Sequence, residues 1–302
     1  MILKNMRFCI GVFILLESSL AFSQEDLDAK VNPNSIFNIP AYEMVYKVRV
    51  WRELDLKEKQ NGGFFAFGNE IGRLIMDALR SGQITKAYKS DSLSEKSSLN
   101  KAEVLEKFQL RPKQIYNPWD QNVNYAQGER VIYNGLDYEC TQDGQGQLPD
   151  APAPNDYWVE TSGGKEVNAG PRDIFKLEIV EELIFDKRRS RLYYDVQGIN
   201  LIAWDAIGNG YRPIAWFKYK DLERVFRANP EKAVWFNRQN TAQNRNFADA
   251  FLLRLFHASI KKIENPDDLD LSSLYPNYKE SVLAREWEEM KLMEKEHNLW
   301  EY

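Results

Sequence analysis

Cysteine and histidine are almost absent, with two of each in 302 residues. Cys9 falls in the opening apolar stretch, so Cys140 is the one cysteine further along. A lone cysteine excludes an intrachain disulfide and leaves the fold to be held by burial. The two imidazoles, His257 and His297, fall in segments read as an apolar helix and a C-terminal helix. Both are therefore taken as packing or surface residues rather than bases or ligands. No Gly-x-Ser-x-Gly, Cys-x-x-Cys or His-Glu-x-x-His spacing occurs. Gly144-Gln145-Gly146 has neither a buried strand before it nor a third glycine opening a helix after it, which makes it a turn rather than a phosphate loop. Asp267, Asp268 and Asp270 lack the glycine and closing glutamate of a calcium loop and read as solvated. Glu181 and Glu182 are neighbours on a strand, point to opposite faces, and cannot flank one glycosidic bond. The expectation is no catalytic residue, no metal and no cofactor.

A basic surplus is also missing. Lys and Arg number 40 against 45 Asp and Glu, a formal charge of −5 that excludes the footprint needed for nucleic acid. Long apolar runs are missing too, because a membrane span needs about 20 apolar residues. The apolar stretch Phe8 to Leu16 follows Lys4 and Arg7 and precedes Ala21-Phe22-Ser23, with small residues at −3 and −1. Residues 1–23 thus read as a secretory signal, cleaved before Gln24. Its removal takes away two bases and one acid (Lys4, Arg7, Glu17) and moves the charge from −5 to −6.

What is present is patterned. Residues 24–41 are polar with scattered Asn and Pro and read as an extended arm. From Tyr42 to Gln60, Val45, Val48, Trp51 and Leu54 recur every third residue, which favours a helix over the competing strand alternation of Tyr46, Val48 and Val50. Ile71, Leu74, Ile75, Ala78 and Leu79 make a clear helical stripe between a capping candidate, Asn69, and Gly82. A short helix is expected around Lys101 to Phe108. Then Pro, Gly, Asn and Tyr become dense, and Asn134-Gly135 sits between two alternating runs as a two-residue hairpin turn. Phe175 to Phe185 and Leu192 to Val196 alternate on either side of a turn, giving a long β-hairpin with one buried face. Pro213 to Phe217 is a strand candidate, and Tyr219, Leu222, Val225 and Phe226 mark a helix ending at Asn229-Pro230. Thr241 to Ile263 reads as one longer buried helix through Phe247, Phe251, Leu255 and Phe256. Leu283, Trp287, Met290, Met293, His297 and Trp300 share a face of the last helix, which is expected to pack within the fold or on a neighbour. The fold class is α+β, a long β-hairpin and amphipathic helices with a small all-β insert. The division is core at 42–111 and 165–302, and insert at 112–164.

Several motifs resemble a known family. Val50-Trp51-Arg52-Glu53-Leu54-Asp55-Leu56-Lys57-Glu58-Lys59-Gln60-Asn61, a Phe-rich stretch and Asn69-Glu70-Ile71 are similar to the N-terminal signature of the GldN/PorN family of the type IX secretion system. Ile184 to Ser190, Gly210-Tyr211-Arg212-Pro213 with Trp216, Phe236 to Asn240, Phe247 to Phe251 and Glu296 to Tyr302 resemble its C-terminal half. The resemblance implies a non-enzymatic periplasmic protein on the inner face of the outer membrane. It would form a homo-oligomeric ring with a GldK/PorK-like outer-membrane lipoprotein, facing GldL/PorL-like and GldM/PorM-like motor components. Lys187, Arg188 and Arg189 at the hairpin tip read either as a charged turn or as a contact for an acidic partner. Trp287 and Trp300 are further partner-contact candidates.

The insert resembles the small carbohydrate-binding modules of chitinases through Trp119, Tyr125, Gly128, Val131, Tyr133-Asn134-Gly135, Tyr138, Cys140, Pro149 and Tyr157-Trp158. Flat aromatic faces stack on sugar rings, so Trp119, Tyr125, Tyr138, Tyr157 and Trp158 are the candidate glycan contacts. Peptidoglycan or a surface polysaccharide would be the target, and a secreted glycan-binding protein is the competing functional reading. The competing structural reading is that these rings are the core of a tiny domain.

Overall fold

The computed structural model describes residues 30–111, 116–134, 136–150, 156–161, 167–205 and 209–300. The signal sequence expected at 1–23 and the first part of the arm lie outside the described residues. The chain divides into two compact units, one from Met1–Arg52, Ile179–Gln197 and Ser259–Tyr302, the other from Glu53–Glu178 and Gly198–Ala258. The class is α+β. Its principal sheet has seven strands: β1 (Met44–Asp55), β2 (Ala87–Tyr88), β3 (Ser98–Leu99), β4 (Ile174–Asp186), β5 (Arg191–Asp205), β6 (Gly210–Lys218) and β7 (Ser259–Ile263). Their order is β7-β1-β4-β5-β6-β2-β3.

In the first unit, Val50, Leu183, Ile260 and Leu271 form the core, with Val48, Leu192, Tyr194 and Leu292 packed around it. Full burial of such a side chain contributes on the order of 2 kcal/mol. The arm is pinned. Val31 bridges Pro40, and the Asn32 amide donates to Glu182 Oε2 at 3.1 Å and Gln197 Oε1 at 2.8 Å. Helices α5 (Leu271–Leu274) and α6 (Tyr278–Leu299) complete this unit, and Asn277 caps α6 by accepting from Lys279 N–H.

The second unit is built on aromatic packing. Phe64 stacks on Phe247 at 5.5 Å and meets Phe251 at 5.1 Å, and Tyr219 and Phe226 pack on Phe251. These rings belong to or adjoin α3 (Tyr219–Ala228) and α4 (Phe247–Leu252). Helix α1 (Ile71–Ser81) buries the striped face and ends at Gly82, whose φ of +81° is the left-handed conformation a C-terminal cap requires. Helix α2 (Lys101–Lys107) opens with a capping box between Asn100 and Glu103.

The segment expected as an all-β insert forms a four-stranded sheet in the order Trp158–Glu160, Leu136–Cys140, Arg130–Tyr133, Asn117–Pro118. The hairpin pairs Tyr133 with Leu136, as the Asn-Gly signal required, and Asn134 has φ +49°, while Gly135 lies outside the described residues. Gln109–Arg111 pairs antiparallel with Val167–Asn168 at the base of this module.

Four expectations fail for physical reasons. The Tyr42–Gln60 segment is a short turn of helix at Ala41–Glu43 followed by strand β1, not a helix. Its β-branched valines suit a strand hydrogen-bonded on both sides, and that pairing outweighs the three-residue spacing. The Thr241–Ile263 segment is not one helix either. A 3-10 turn (Thr241–Gln243), α4 and strand β7 follow each other, separated by Asn246, which caps α4, and by Arg254 at φ +51°. Glu70, not Asn69, is the N-cap of α1. The β4–β5 hairpin buries both faces of β4 rather than one, which places Glu178, Glu181, Glu182 and Asp186 inside.

Candidate interaction surface

Buried carboxylates need cations or donors nearby, since a lone buried charge is costly. In the first unit each has one. Arg52, with its side chain 3% exposed, donates through Nε to Glu181 at 2.5 Å and through both terminal nitrogens to Glu289 at 2.6 and 3.1 Å. Burial works against the Arg52 charge, but Glu181 and Glu289 outweigh it and hold its pKa above the ordinary guanidinium value. On the opposite face of β4, Glu182 takes Lys47 at 2.9 Å and Arg49 at 2.7 Å. Burial pushes the Glu182 carboxyl up, and those two cations bring it below the usual range. The two adjacent glutamates thus point to opposite faces and serve separate networks.

Asp195 is different. It accepts from Gln197 Nε2 at 2.6 Å and Ile36 N–H at 3.4 Å, and burial pushes its carboxyl up to about 6 against these bonds. No ion pair with Asp195 exists among the described residues.

The β4–β5 tip is held from inside. Asp186 accepts from the backbone N–H of Arg188 and Arg189 and from the Arg189 guanidinium at 2.6 Å, while Arg188 reaches Glu43 at 3.3 Å. Burial raises the Asp186 carboxyl, and the Arg189 bonds more than reverse this. Of the three basic tip residues, Lys187 has no ion pair among the described residues. It lines a cavity of about 470 Å³ with Val45, Phe185, Ser190, Leu299 and Trp300, and Trp300 meets the Phe185 ring edge-on at 5.9 Å.

Helix α6 turns its polar side inward. Glu289 reaches Arg52, Glu296 lies 3.4 Å from the Tyr194 hydroxyl, and Leu292 joins the core. Glu289 reaches the buried Arg52 from α6, and most of the large apolar residues of the helix, Leu292 and Leu299 apart, are exposed. Trp287 is 57% and Trp300 54% exposed, with Leu283, Met290 and Met293 exposed alongside. Of the two expected packings, within the fold or on a neighbour, the first does not hold for these side chains. Exposed aromatic and thioether side chains of this kind are candidates for an interaction site.

The insert aromatics are placed otherwise than a sugar platform would have them. Tyr125, Tyr138 and Trp158 are buried with Val131 and Cys140, and Trp119, Tyr133 and Tyr157 are half-buried against them. Trp158 Nε1 donates to Gln147 O at 3.0 Å, and Trp119 meets Tyr133 edge-on at 5.4 Å. The first three rings therefore present no free face, and any stacking contact falls to Trp119 or Tyr157. Cys140 is a buried thiol, donating to Gln142 O at 3.0 Å and pushed up in pKa by burial. His257 lies in a loop, not a helix, with Nδ1 3.0 Å from Glu58. Among the described residues no cluster of metal-ligating side chains occurs, and no helix is long and apolar enough to cross a membrane.

The family model described as Gliding motility associated protein GldN matches residues 39–301. No curated protein matches the chain.

Proposed function

The chain belongs to the GldN family, structural components of gliding motility and type IX secretion, and from that premise we propose that it is a ring-forming scaffold of the periplasmic core complex. In this reading it assembles with copies of itself and with a GldK/PorK-like outer-membrane lipoprotein on the inner face of the outer membrane. GldL/PorL-like and GldM/PorM-like motor components are its other partners. The observation that supports it is the set of exposed Trp287, Met290 and Trp300 side chains on α6 and its C-cap, a helix tied to the first unit by the Arg52–Glu289 pair. A helix so anchored presents Trp287, Met290 and Trp300 as preorganised anchors, the residue types that dominate interfaces. Lys187 at the cavity mouth supplies a cation for an acidic rim.

The test is to isolate complexes from detergent-extracted envelopes through a tagged copy and image them by electron microscopy. Large rings that contain the lipoprotein, lost with Trp287→Asp while the purified variant keeps its fold, are the expected result. A protein that stays monomeric and is retained only on chitin or peptidoglycan would refute the scaffold and support glycan binding through the insert.

A further inference from the structure

Two segments of the second unit, far apart in sequence, meet around Arg238. One is the glycine and phenylalanine stretch after Asn61, the other the Phe236 to Asn240 loop. Asn61 is fully buried and fastens the first segment, with Nδ2 donating to Asp55 O at 2.7 Å and His257 O at 2.8 Å. Phe236 N–H then donates to Gly63 O at 2.9 Å and locks the second segment onto it. Asn237 Oδ1 accepts from Gln239 and Asn240 N–H, which fixes Arg238 at the tip of a turn. The Arg238 guanidinium lies over Gly62, where a Cβ would stand only 3.3 Å from it.

Cavities of about 520 and 500 Å³ adjoin here and share Phe236 and Arg238 as a common wall. Arg172 lines the first, its guanidinium 5.1 Å from the Phe65 ring and 5.7 Å from that of Phe67, which is 85% exposed. Lys59 and Trp235 line the second, and the buried Trp235 Nε1–H has no acceptor among the described residues. Among the described residues, no carboxylate lines either cavity, although acids outnumber bases in the whole chain. The buried Glu70 pairs with Arg73 at 2.7 Å and, more loosely, with Arg172 at 3.7 Å, so Arg172 brings a partly compensated cation to the groove and Arg238 the main one. Arg238 has no ion pair among the described residues.

We propose that this groove docks an acidic, aromatic-bearing peptide segment of a partner protein, with its carboxylates on Arg238 and Arg172 and its apolar side chains against Phe67 and Phe236. The chemistry favours a short peptide over other anions. A net charge of −5 repels a long polyanion or an anionic membrane, whereas a short segment is felt mainly within a Debye length of about 10 Å. Two cavities divided by one arginine match alternating apolar and acidic side chains. The groove is built from the second unit alone and does not depend on the scaffold reading.

The test uses the mature full chain and fluorescein-labelled Asp-Phe-Asp-Phe-Glu, with Asn-Phe-Asn-Phe-Gln as the uncharged probe, followed by fluorescence anisotropy. Expected are binding of the acidic peptide alone, weakening with salt, and at least a tenfold loss in Arg238→Glu and Arg172→Gln. The exposed Lys96→Glu, remote in sequence from both segments, controls for net charge and should bind as the parent does. Circular dichroism checks that each variant is folded. Equal binding of the two peptides, no binding, or an unchanged affinity in Arg238→Glu would overturn the proposal. Displacement by inorganic phosphate or by phosphatidylglycerol vesicles at the same charge concentration would also overturn it, assigning the groove to small anions or to lipid.

Discussion

Removing the Arg52 guanidinium isolates what the buried charge network contributes. Arg52→Met keeps the volume and the apolar stem but deprives Glu181, whose side chain is 0% exposed, of a bond at 2.5 Å. Breaking a buried pair from one side costs about 3–5 kcal/mol, because the remaining carboxylate is desolvated without that cation. The Glu289 half of the network is 44% exposed, so solvent screens it and Glu289→Ala should cost no more than about 1 kcal/mol. Replacing both buried members, Arg52→Met with Glu181→Leu, removes the uncompensated charge and should recover most of the loss. Urea denaturation followed by tryptophan fluorescence on the four proteins measures these differences. A single Arg52→Met variant within about 1 kcal/mol of the parent, or a double variant no more stable than the single one, would refute the reasoning.

Other expectations follow from the same structure. The Asp195 carboxyl titrates at about 6 in the fold, against about 3.9 unfolded. It therefore costs nothing below about pH 4, where both states are protonated, and destabilises the fold as pH rises through 6. At about 1.4 kcal/mol per unit this approaches on the order of 3 kcal/mol. Asp195→Asn should gain stability over the parent across pH 4 to 7, and a pH-independent difference between the two denaturation curves would count against the assignment. Glu182 and Asp186, depressed instead, contribute stability that is lost as pH falls through their folded values, so only the difference between variant and parent isolates Asp195. In Gly63→Ala the new Cβ would lie 2.5 Å from Trp235 Nε1 and 2.9 Å from Phe236 O, and overpacking of this kind costs about 1–3 kcal/mol. Thermal melting checks this, with unchanged stability the contrary outcome. Trp287→Asp should leave the melting temperature within error, because the ring is largely exposed, and any assembly defect it causes can then be read as interfacial.

The sequence carried the elements whose local and tertiary preferences agree. Helix α1 is marked by five spaced apolar residues and a glycine that only its C-terminus needs, and the β4–β5 hairpin by alternation and a charged turn. Where the two preferences diverge, local pattern misleads. Val45, Val48 and Trp51 fit a helical spacing, yet the partners of β1 on either side decide for a strand. Thr241 to Ile263 is apolar enough for one helix, but Asn246 and Arg254 interrupt it. The α6 stripe was visible as a stripe, while its exposure was legible only in the structure, where Glu289 reaches Arg52, distant in sequence. Similarly, the insert aromatics announce a small module, and only the packing reveals that Tyr125, Tyr138 and Trp158 hold it together. The groove around Arg238 left no signal of its own, since it needs two loops brought together by Asn61.

The ladder between Gln109–Arg111 and Val167–Asn168 has an architectural consequence. Because these strands are hydrogen-bond partners, the chain departs for the insert and returns from it about one strand spacing, roughly 5 Å, apart. Such a gate makes the intervening stretch exchangeable. Closing the same gap with a short turn, or with a folded tag whose ends lie close together, changes loop-closure entropy only slowly with length. A chain closed in this way should keep the Gln109–Arg111 and Val167–Asn168 ladder in register.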